Sequence, residues 1–429
     1  MHTHPLPMRR WLYVMPLIFI SYSLAFLDKA NYSFAAAGGI NRDLGITQGL
    51  SSLIGSLFFL GYFFFQIPGG ILAEKTSVRK LLACSLVIWG ICATATGLVH
   101  SIPLLIVIRF ILGIVEAVVM PTVLILTARW FTKKERSKAN TIFLLGNPVT
   151  ILWMSILSGY LIDNFGWRHM FVVQGIPAIV WAAVWYLLIR DKPEEAGWLT
   201  AREKTALSDA LKAEQTEKPQ LLNYGQVFRS PNVLKLSGWL FFQSIGFYGF
   251  LMWLPSILHS SSITMSRTGL LTSLPYGLAV VFMLLAGWLS DRLQKRIPFI
   301  VYPILVAGCC FLALALLGIN HFWVAYGLLT LAGVCMYIPF GSFFASIPDV
   351  LPSSMVGGAT GMVNSIGSLG AFLGAYAVGF LNGLMQTTQA SYYLMAVCLG
   401  LSALFGLWIK IPKTVNNDLP KEGMSLNFH

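Results

Sequence analysis

The chain has 429 residues, of which 56% are hydrophobic and only 11% charged, and its mean hydropathy is +0.71. That composition excludes a soluble globular domain and calls for lipid as the solvent. The formal net charge of +12 is spread over loops that flank apolar runs, a pattern set by membrane insertion, so no nucleic-acid partner is expected.

A hydrocarbon layer of roughly 30 Å takes about 20 apolar residues per helical crossing. Twelve such runs follow one another, near residues 11–37, 49–73, 80–98, 102–128, 139–162, 169–190, 232–258, 267–290, 297–318, 322–346, 357–382 and 389–411. The first has features of a signal peptide, with Arg9-Arg10 before it and Ala35-Ala36-Ala37 near its end. It is too long for a signal core and carries Asp28 and Lys29, so it reads as a span. The six cysteines lie within spans without CxxC or Cys/His spacing, and no disulfide framework, metal site or cofactor is expected. The thirteen tryptophans are expected largely at the lipid surface or in the interfacial belts.

Most lysines and arginines collect on one side: Arg9 and Arg10, residues 75–80, 129–138, 190–235, 292–296 and 410–421. The opposite loops hold Arg42, Arg168 and Arg267. Cations stay on the cytoplasmic side of short loops, so a multi-pass bacterial inner-membrane protein with both termini cytoplasmic is expected. The long hydrophilic stretch 191–231 divides the chain into a bundle over 1–190 and a second over 232–429. Two features repeat at a shift of 217 residues: Gly70-x-x-x-Glu74-Lys75 with Arg79 recurs as Gly287-x-x-x-Asp291-Arg292 with Arg296, and Asn147 meets Asn364. Matches at one offset mark halves of common origin.

Four ionisable residues remain at membrane depth: Asp28 and Lys29 in span one, Arg109 and Glu116 in span four. Each costs about 3 kcal/mol or more there, so such groups face a cavity and carry function. Arg109 and Glu116 are seven apart and differ by about 20° in azimuth, hence share a face. Asp28 and Arg109 fall at similar depths and are able to pair; Glu116 falls near the midplane, where loss of water suits a proton carrier. Two cations would attract an anion, and two carboxylates would take protons that offset its charge. The other use of the four is as fixed ion pairs, Asp28 with Arg109 and Lys29 with Glu116, serving assembly alone.

Twelve spans, a central linker and the run Gly70-Ile71-Leu72-Ala73-Glu74-Lys75-Thr76-Ser77-Val78-Arg79-Lys80 resemble the major facilitator superfamily. The resemblance implies an all-α membrane fold of two pseudo-symmetric six-helix bundles. In the family's loop pattern Asp stands at Glu74 and glycine at Ser77. The implied role of the loop (Gly70, Glu74, Lys75, Arg79, with Asp291 and Arg292 in the repeat) is to latch the halves on the cytoplasmic face, Glu74 capping span eleven. Asp28-Lys29-Ala30-Asn31 and Arg109-x-x-x-Gly113-x-x-Glu116-Ala117-x-x-x-Pro121, with Tyr62-x-x-x-Gln66-Ile67-Pro68-Gly69-Gly70, narrow the resemblance to the anion:cation symporter family.

That resemblance implies proton-driven import of an organic anion, above all a sugar acid of the hexonate or aldarate type, by a monomer. Lys29 and Arg109 would bind the carboxylate, Tyr62, Asn147 and Asn364 the hydroxyls, and Asp28 and Glu116 the protons, with sodium left open as the coupling ion. Lys29 departs from the family's Arg, exchanging a fork for a point charge, and Asn147 stands where hexonate carriers often have Gln. Further polar candidates in the second half are Gln243, Tyr248, Tyr337, Ser342 and Ser365, while His259 and His321 read as interfacial. The alternatives are an aromatic or dicarboxylate anion symporter and a proton-coupled drug or solute exporter of the same fold. Against an exporter, Gly146-Asn147-Pro148 lacks the flanking glycines of the antiporter motif. No HExxH, nucleophile elbow or paired metal ligands indicate an enzyme.

Overall fold

The computed structural model describes residues 6–214, 229–259, 263–293, 295–318, 321–351 and 356–409. Part of the expected linker (215–228) and the basic C-terminal stretch from 410 onward lie outside the described residues. Among those described, eleven apolar helical segments are long enough to cross a bilayer. One of them, Lys138–Leu188, is 51 residues long, about 75 Å at 1.5 Å per residue and too much for one crossing. Gly166 breaks it with φ 80° and ψ 166°, a conformation that only glycine adopts readily. Spans five and six therefore meet at a single residue where the sequence suggested a loop, and the crossings number twelve.

Span one runs Arg9–Tyr13 and Met15–Ala37, span two Gln48–Lys75, span three Val78–Leu98 and span four Ile102–Glu116 and Val119–Trp130. After the five–six pair come span seven (Pro231–His259), eight (Met265–Leu293), nine (Arg296–Leu317), ten (Phe322–Tyr337 and Pro339–Val350), eleven (Val356–Met385) and twelve (Gln389–Trp408). Spans four and ten each lose helical hydrogen bonding mid-membrane while keeping helical φ/ψ. Pro121 and Pro339 lack the N–H that would close a helical turn, which frees the carbonyls of Ala117 and Cys335 and loosens the two helices there.

Within the first half span three packs along six and two along four; in the second, seven lies on eleven and twelve, and nine on twelve. The halves touch through spans two with eleven, five with eight and one with seven. The protein is thus an all-α membrane protein of two facing six-helix bundles.

On the side of residues 189–214, here the linker side, helix ends are capped and ion-paired within each half. Ser77 accepts from the Lys80 amide at 3.2 Å, and Thr132 and Glu135 form a reciprocal capping box. Glu135 also receives a hydrogen bond from Arg10, which is buried rather than free in the loop. On the far side the halves are closed. Gly159 and Gly269 bring spans five and eight into backbone contact. Asp163, at the end of span five, accepts from the Met265 and Ser266 amides at 3.0 and 2.7 Å and from Ser266 Oγ at 2.6 Å, capping span eight from the opposite half.

The tryptophans correct the sequence reading. Trp89, Trp130, Trp185 and Trp239 are fully buried and Trp167 and Trp253 nearly so; Trp153, Trp288, Trp323 and Trp408 face outward. Five of these six buried indoles fix a helix contact by donating to a carbonyl or side chain, as Trp253 does to Ala375 O at 3.1 Å and Trp185 to Arg79 O at 3.2 Å; Trp239, whose Nε1 has no partner, is held by stacking on Phe343 at 4.1 Å.

Candidate functional site

A cleft between the halves opens toward the linker side. Its inner chamber has a volume of about 100 Å³ and its outer chamber about 390 Å³. A cavity of about 10–15 Å³ admits one water, so the inner chamber alone has room for a small solute. Gln66, Met120, Leu144, Phe344 and Asn364 line both, so the two are continuous. The far-side seal and this opening define a conformation in which the cleft is accessible from the linker side.

Lys29, Tyr62, Asn147 and Asn364 line the inner chamber, with Tyr22, Tyr248 and Tyr337 among its other polar residues. Lys29 is 7% exposed, and its Nζ lies 4.7, 4.5 and 5.8 Å from the ring centres of Phe26, Tyr62 and Phe58. The aromatic faces offset part of the cost of desolvating the ammonium. No salt bridge joins Lys29 to a carboxylate among the described residues.

Arg109, fully buried, does not line the chamber. Its guanidinium lies 5.0 Å from the Tyr32 ring centre and 5.7 Å from that of Phe58, the same ring that Lys29 approaches. Its hydrogen bonds, to Asp28 O at 3.5 Å and Gly55 O at 3.4 Å, are long, and Nε has no partner. Gly113 explains this placement: a Cβ there would strike the Phe58 carbonyl, and without one span four beds against span two. The azimuth of Arg109 and Glu116 was legible from spacing; the ring covering Arg109 was not.

Asp28 is 2% exposed and accepts from Asn31 Nδ2 at 2.7 Å and from the Trp89 indole. Trp89 was missed in the sequence, where nothing sets it apart from a belt tryptophan. Glu116 is fully buried, ends the first segment of span four, and has no hydrogen bond to either carboxyl oxygen. Its charged neighbours are Lys29, Asp28 and Arg109. Neither ion pair considered from sequence, Asp28 with Arg109 or Lys29 with Glu116, is formed as a contact salt bridge among the described residues. The physical reason is that Asp28 finds neutral N–H donors and Lys29 finds ring faces.

Tyr337, from span ten, donates its hydroxyl hydrogen to Asn147 Oδ1 at 2.9 Å, across the cleft between the halves. Of the other second-half candidates, Tyr248 lines the chamber, Gln243 donates to Met336 O at 3.3 Å, Ser365 reaches Phe63 O at 3.1 Å, and Ser342 Oγ is buried without a partner.

The loop residues sit at the open mouth. Gly70 and Glu74 line the outer chamber opposite Gly358 and Thr360; the cap expected of Glu74 on span eleven falls at 352–355, outside the described residues. Lys75 ends span two and is exposed. Arg79 reaches Tyr186 O at 2.5 Å within its own half. Asp191, unnoticed in the sequence, binds Ser77 Oγ at 2.5 Å and the Arg79 amide at 2.8 Å. The hydroxyl of Ser77, where the family pattern has glycine, thus gains a cap and a partner. In the repeat Arg296 lies 3.7 Å from Asp291 and 2.7 Å from Asp349, while Arg292 stacks on Trp288 at 5.2 Å.

The model of the Major Facilitator Superfamily matches residues 18–375 and again 257–425. The chain belongs to this superfamily. It is 29% identical over 411 residues to a presumptive tartrate transporter of Agrobacterium vitis, covering 92% of this chain and 89% of that one. It is 27% identical over 407 residues to a quinolone resistance transporter of Acinetobacter baumannii (92% and 91% covered) and 26% over 415 residues to a D-galactonate transporter of Escherichia coli O6:H1 (92% and 94%). The fold matches the xylose transporter of E. coli in a partially occluded inward-open conformation, with TM-score 0.76, 16% identity and 95% and 99% covered. It also matches a bacterial homologue of the human lysosomal transporter Spinster in an inward-facing conformation, with TM-score 0.75, 19% identity and 94% and 97% covered. This superfamily member is a multi-pass transporter, a class without enzymatic chemistry.

Proposed function

We propose that the protein imports an organic anion of the sugar-acid class together with a proton, by alternating access, across the bacterial inner membrane with both termini cytoplasmic. The observation that carries the reading is Lys29: a buried ammonium on the wall of the central chamber with ring faces but no carboxylate in contact. A solute carboxylate supplies the missing partner, and a charge-assisted bond in a site shielded from water is strong. Tyr62, Asn147 and Asn364 offer hydrogen bonds to hydroxyls, and Arg109 reinforces the field from outside the chamber lining. Names of relatives, a D-galactonate transporter among them, support the class.

Charge balance supplies the coupling. An ionised Glu116 with no donor at either oxygen costs several kcal/mol, so the proton-bearing form suits this buried site. With Asp28 ionised among its donors and Glu116 protonated, Lys29 and Arg109 leave one positive charge, which a monoanion cancels. After the anion leaves, loss of the Glu116 proton restores neutrality. The loaded and the empty cleft are then both neutral when the halves rock, and neutral forms cross the low-dielectric barrier at least cost. The loop at Gly70, Glu74, Lys75 and Arg79, with Asp291 and Arg292, would close the linker side in the opposite state.

Uptake of labelled D-galactonate, tartrate, benzoate and a neutral galactose control into proteoliposomes under an imposed pH step tests the reading. Acid-outside uptake of an acid that excess unlabelled acid competes away is expected. Equal uptake of the neutral sugar refutes it. The many ring faces of the chamber, together with the quinolone resistance relative, favour drug export as the second reading; outward flux of a fluoroquinolone would select it.

A further inference from the structure

The bond between Tyr337 and Asn147 is one of few polar contacts that cross the cleft, and both residues line the solute chamber. An asparagine amide has one accepting end and one donating end, and at an open wall the two exchange by a flip. A phenol hydroxyl donating to Oδ1 removes that freedom. It occupies the acceptor and leaves both N–H bonds of Nδ2, for which no described residue acts as acceptor, on offer to the chamber.

The phenol itself has little freedom. Tyr337 is 1% exposed, and its ring meets Phe247 edge-on at 4.9 Å, Tyr276 at 5.8 Å and Phe340 at 6.0 Å. It also lies two residues before Pro339, where the hydrogen bonding of span ten is interrupted. Its hydroxyl is therefore held in place by the second half while the amide it orients belongs to the first.

Resting on the transport reading above, we propose that Tyr337 is a positioning residue that locks the Asn147 amide as a donor, so that the chamber selects acids carrying an acceptor oxygen, such as a hydroxyl, beyond the carboxylate. Because the bond spans the halves, the selection is made in the conformation described here.

The test compares D-galactonate with hexanoate, a six-carbon acid lacking hydroxyls, as competitors for uptake by the parent, Tyr337→Phe, Asn147→Leu and the double variant. A hydrogen bond of ordinary net worth predicts that selectivity for D-galactonate over hexanoate falls about fivefold in Tyr337→Phe, through KM rather than kcat. It predicts no further fall when Tyr337→Phe is added to Asn147→Leu. Equal losses for both acids, or an undiminished effect of Tyr337→Phe in the Asn147→Leu background, overturn the proposal. If Tyr337→Phe does not fold, Asn147→Asp carries the test: it keeps an acceptor for Tyr337 but has no N–H, and unchanged selectivity there overturns the proposal. A parent that takes up neither of these acids overturns this inference, and one that takes up none of D-galactonate, tartrate and benzoate overturns the transport reading as well. A parent that takes up D-galactonate, with Tyr337→Phe indistinguishable from it, overturns the role of Tyr337 alone.

Discussion

Replacing Asp163 by alanine should open the far side. The carboxylate takes three hydrogen bonds of 2.6–3.0 Å from Met265 and Ser266, two of them from backbone amides in the first turn of span eight. Because Asp163 belongs to one half and span eight to the other, these bonds exist only while the far side is shut. Loss of an acidic or hydroxyl cap costs about 0.5–2 kcal/mol, and solvent at this exposed edge holds the figure near the lower half of that range. About 1 kcal/mol multiplies the ratio of far-side-open to far-side-closed protein about fivefold. The assay places a cysteine at Ser52, buried against Gly379 and Trp253 in the seal, in a background with the native thiols replaced, and follows modification by a membrane-impermeant maleimide added on the far side. Labelling should accelerate about fivefold with Asp163→Ala and less with Asp163→Asn, whose side-chain oxygen still accepts. Unchanged or slower labelling would refute the assignment of Asp163 as a seal between halves.

Two further outcomes follow from the chamber. Lys29→Ala should weaken equilibrium binding of a transported acid about 10–100-fold, the worth of a charged hydrogen bond, with Lys29→Arg restoring part of it; equal affinity in all three proteins would remove Lys29 from the site. Trp89→Phe strips Asp28 of its indole donor and should lower stability by about 1–3 kcal/mol, read as a fall in melting temperature that Asp28→Asn diminishes; additive losses in the pair would show that the two do not act together.

Much of this was legible in the sequence because lipid restricts what a chain can do. Apolar run length gave the crossings, and the cost of burying charge singled out Asp28, Lys29, Arg109 and Glu116, all of which the structure buries. Helical spacing places residues on a face but does not say which neighbour covers that face, and so the contact of Arg109 with the Tyr32 and Phe58 rings was invisible. Trp89 and Asp163 were hidden for a related reason. An indole in a span reads as lipid-facing until a buried acceptor is seen beside it, and an aspartate at a span end reads as a loop charge until a helix from the other half starts opposite it. The bonds of Asp191 to Ser77 Oγ and the Arg79 amide depend on the meeting of span three with the end of span six, residues more than a hundred apart. Pro121 and Pro339 were visible in the chain, yet that they interrupt the hydrogen bonding of spans four and ten beside Glu116 and Tyr337 emerges only from the backbone.

The central claim is that a negatively charged solute moves only with a proton taken by Glu116. Its most direct test is simultaneous recording of labelled-acid uptake and internal pH in proteoliposomes with the membrane potential clamped. The account predicts acidification of the lumen in step with a transported monoanion, one proton each, and predicts that Glu116→Gln exchanges internal for external acid while moving no protons and building no gradient. Accumulation of the acid by Glu116→Gln at the parent's level, or uptake by the parent without acidification, would contradict it.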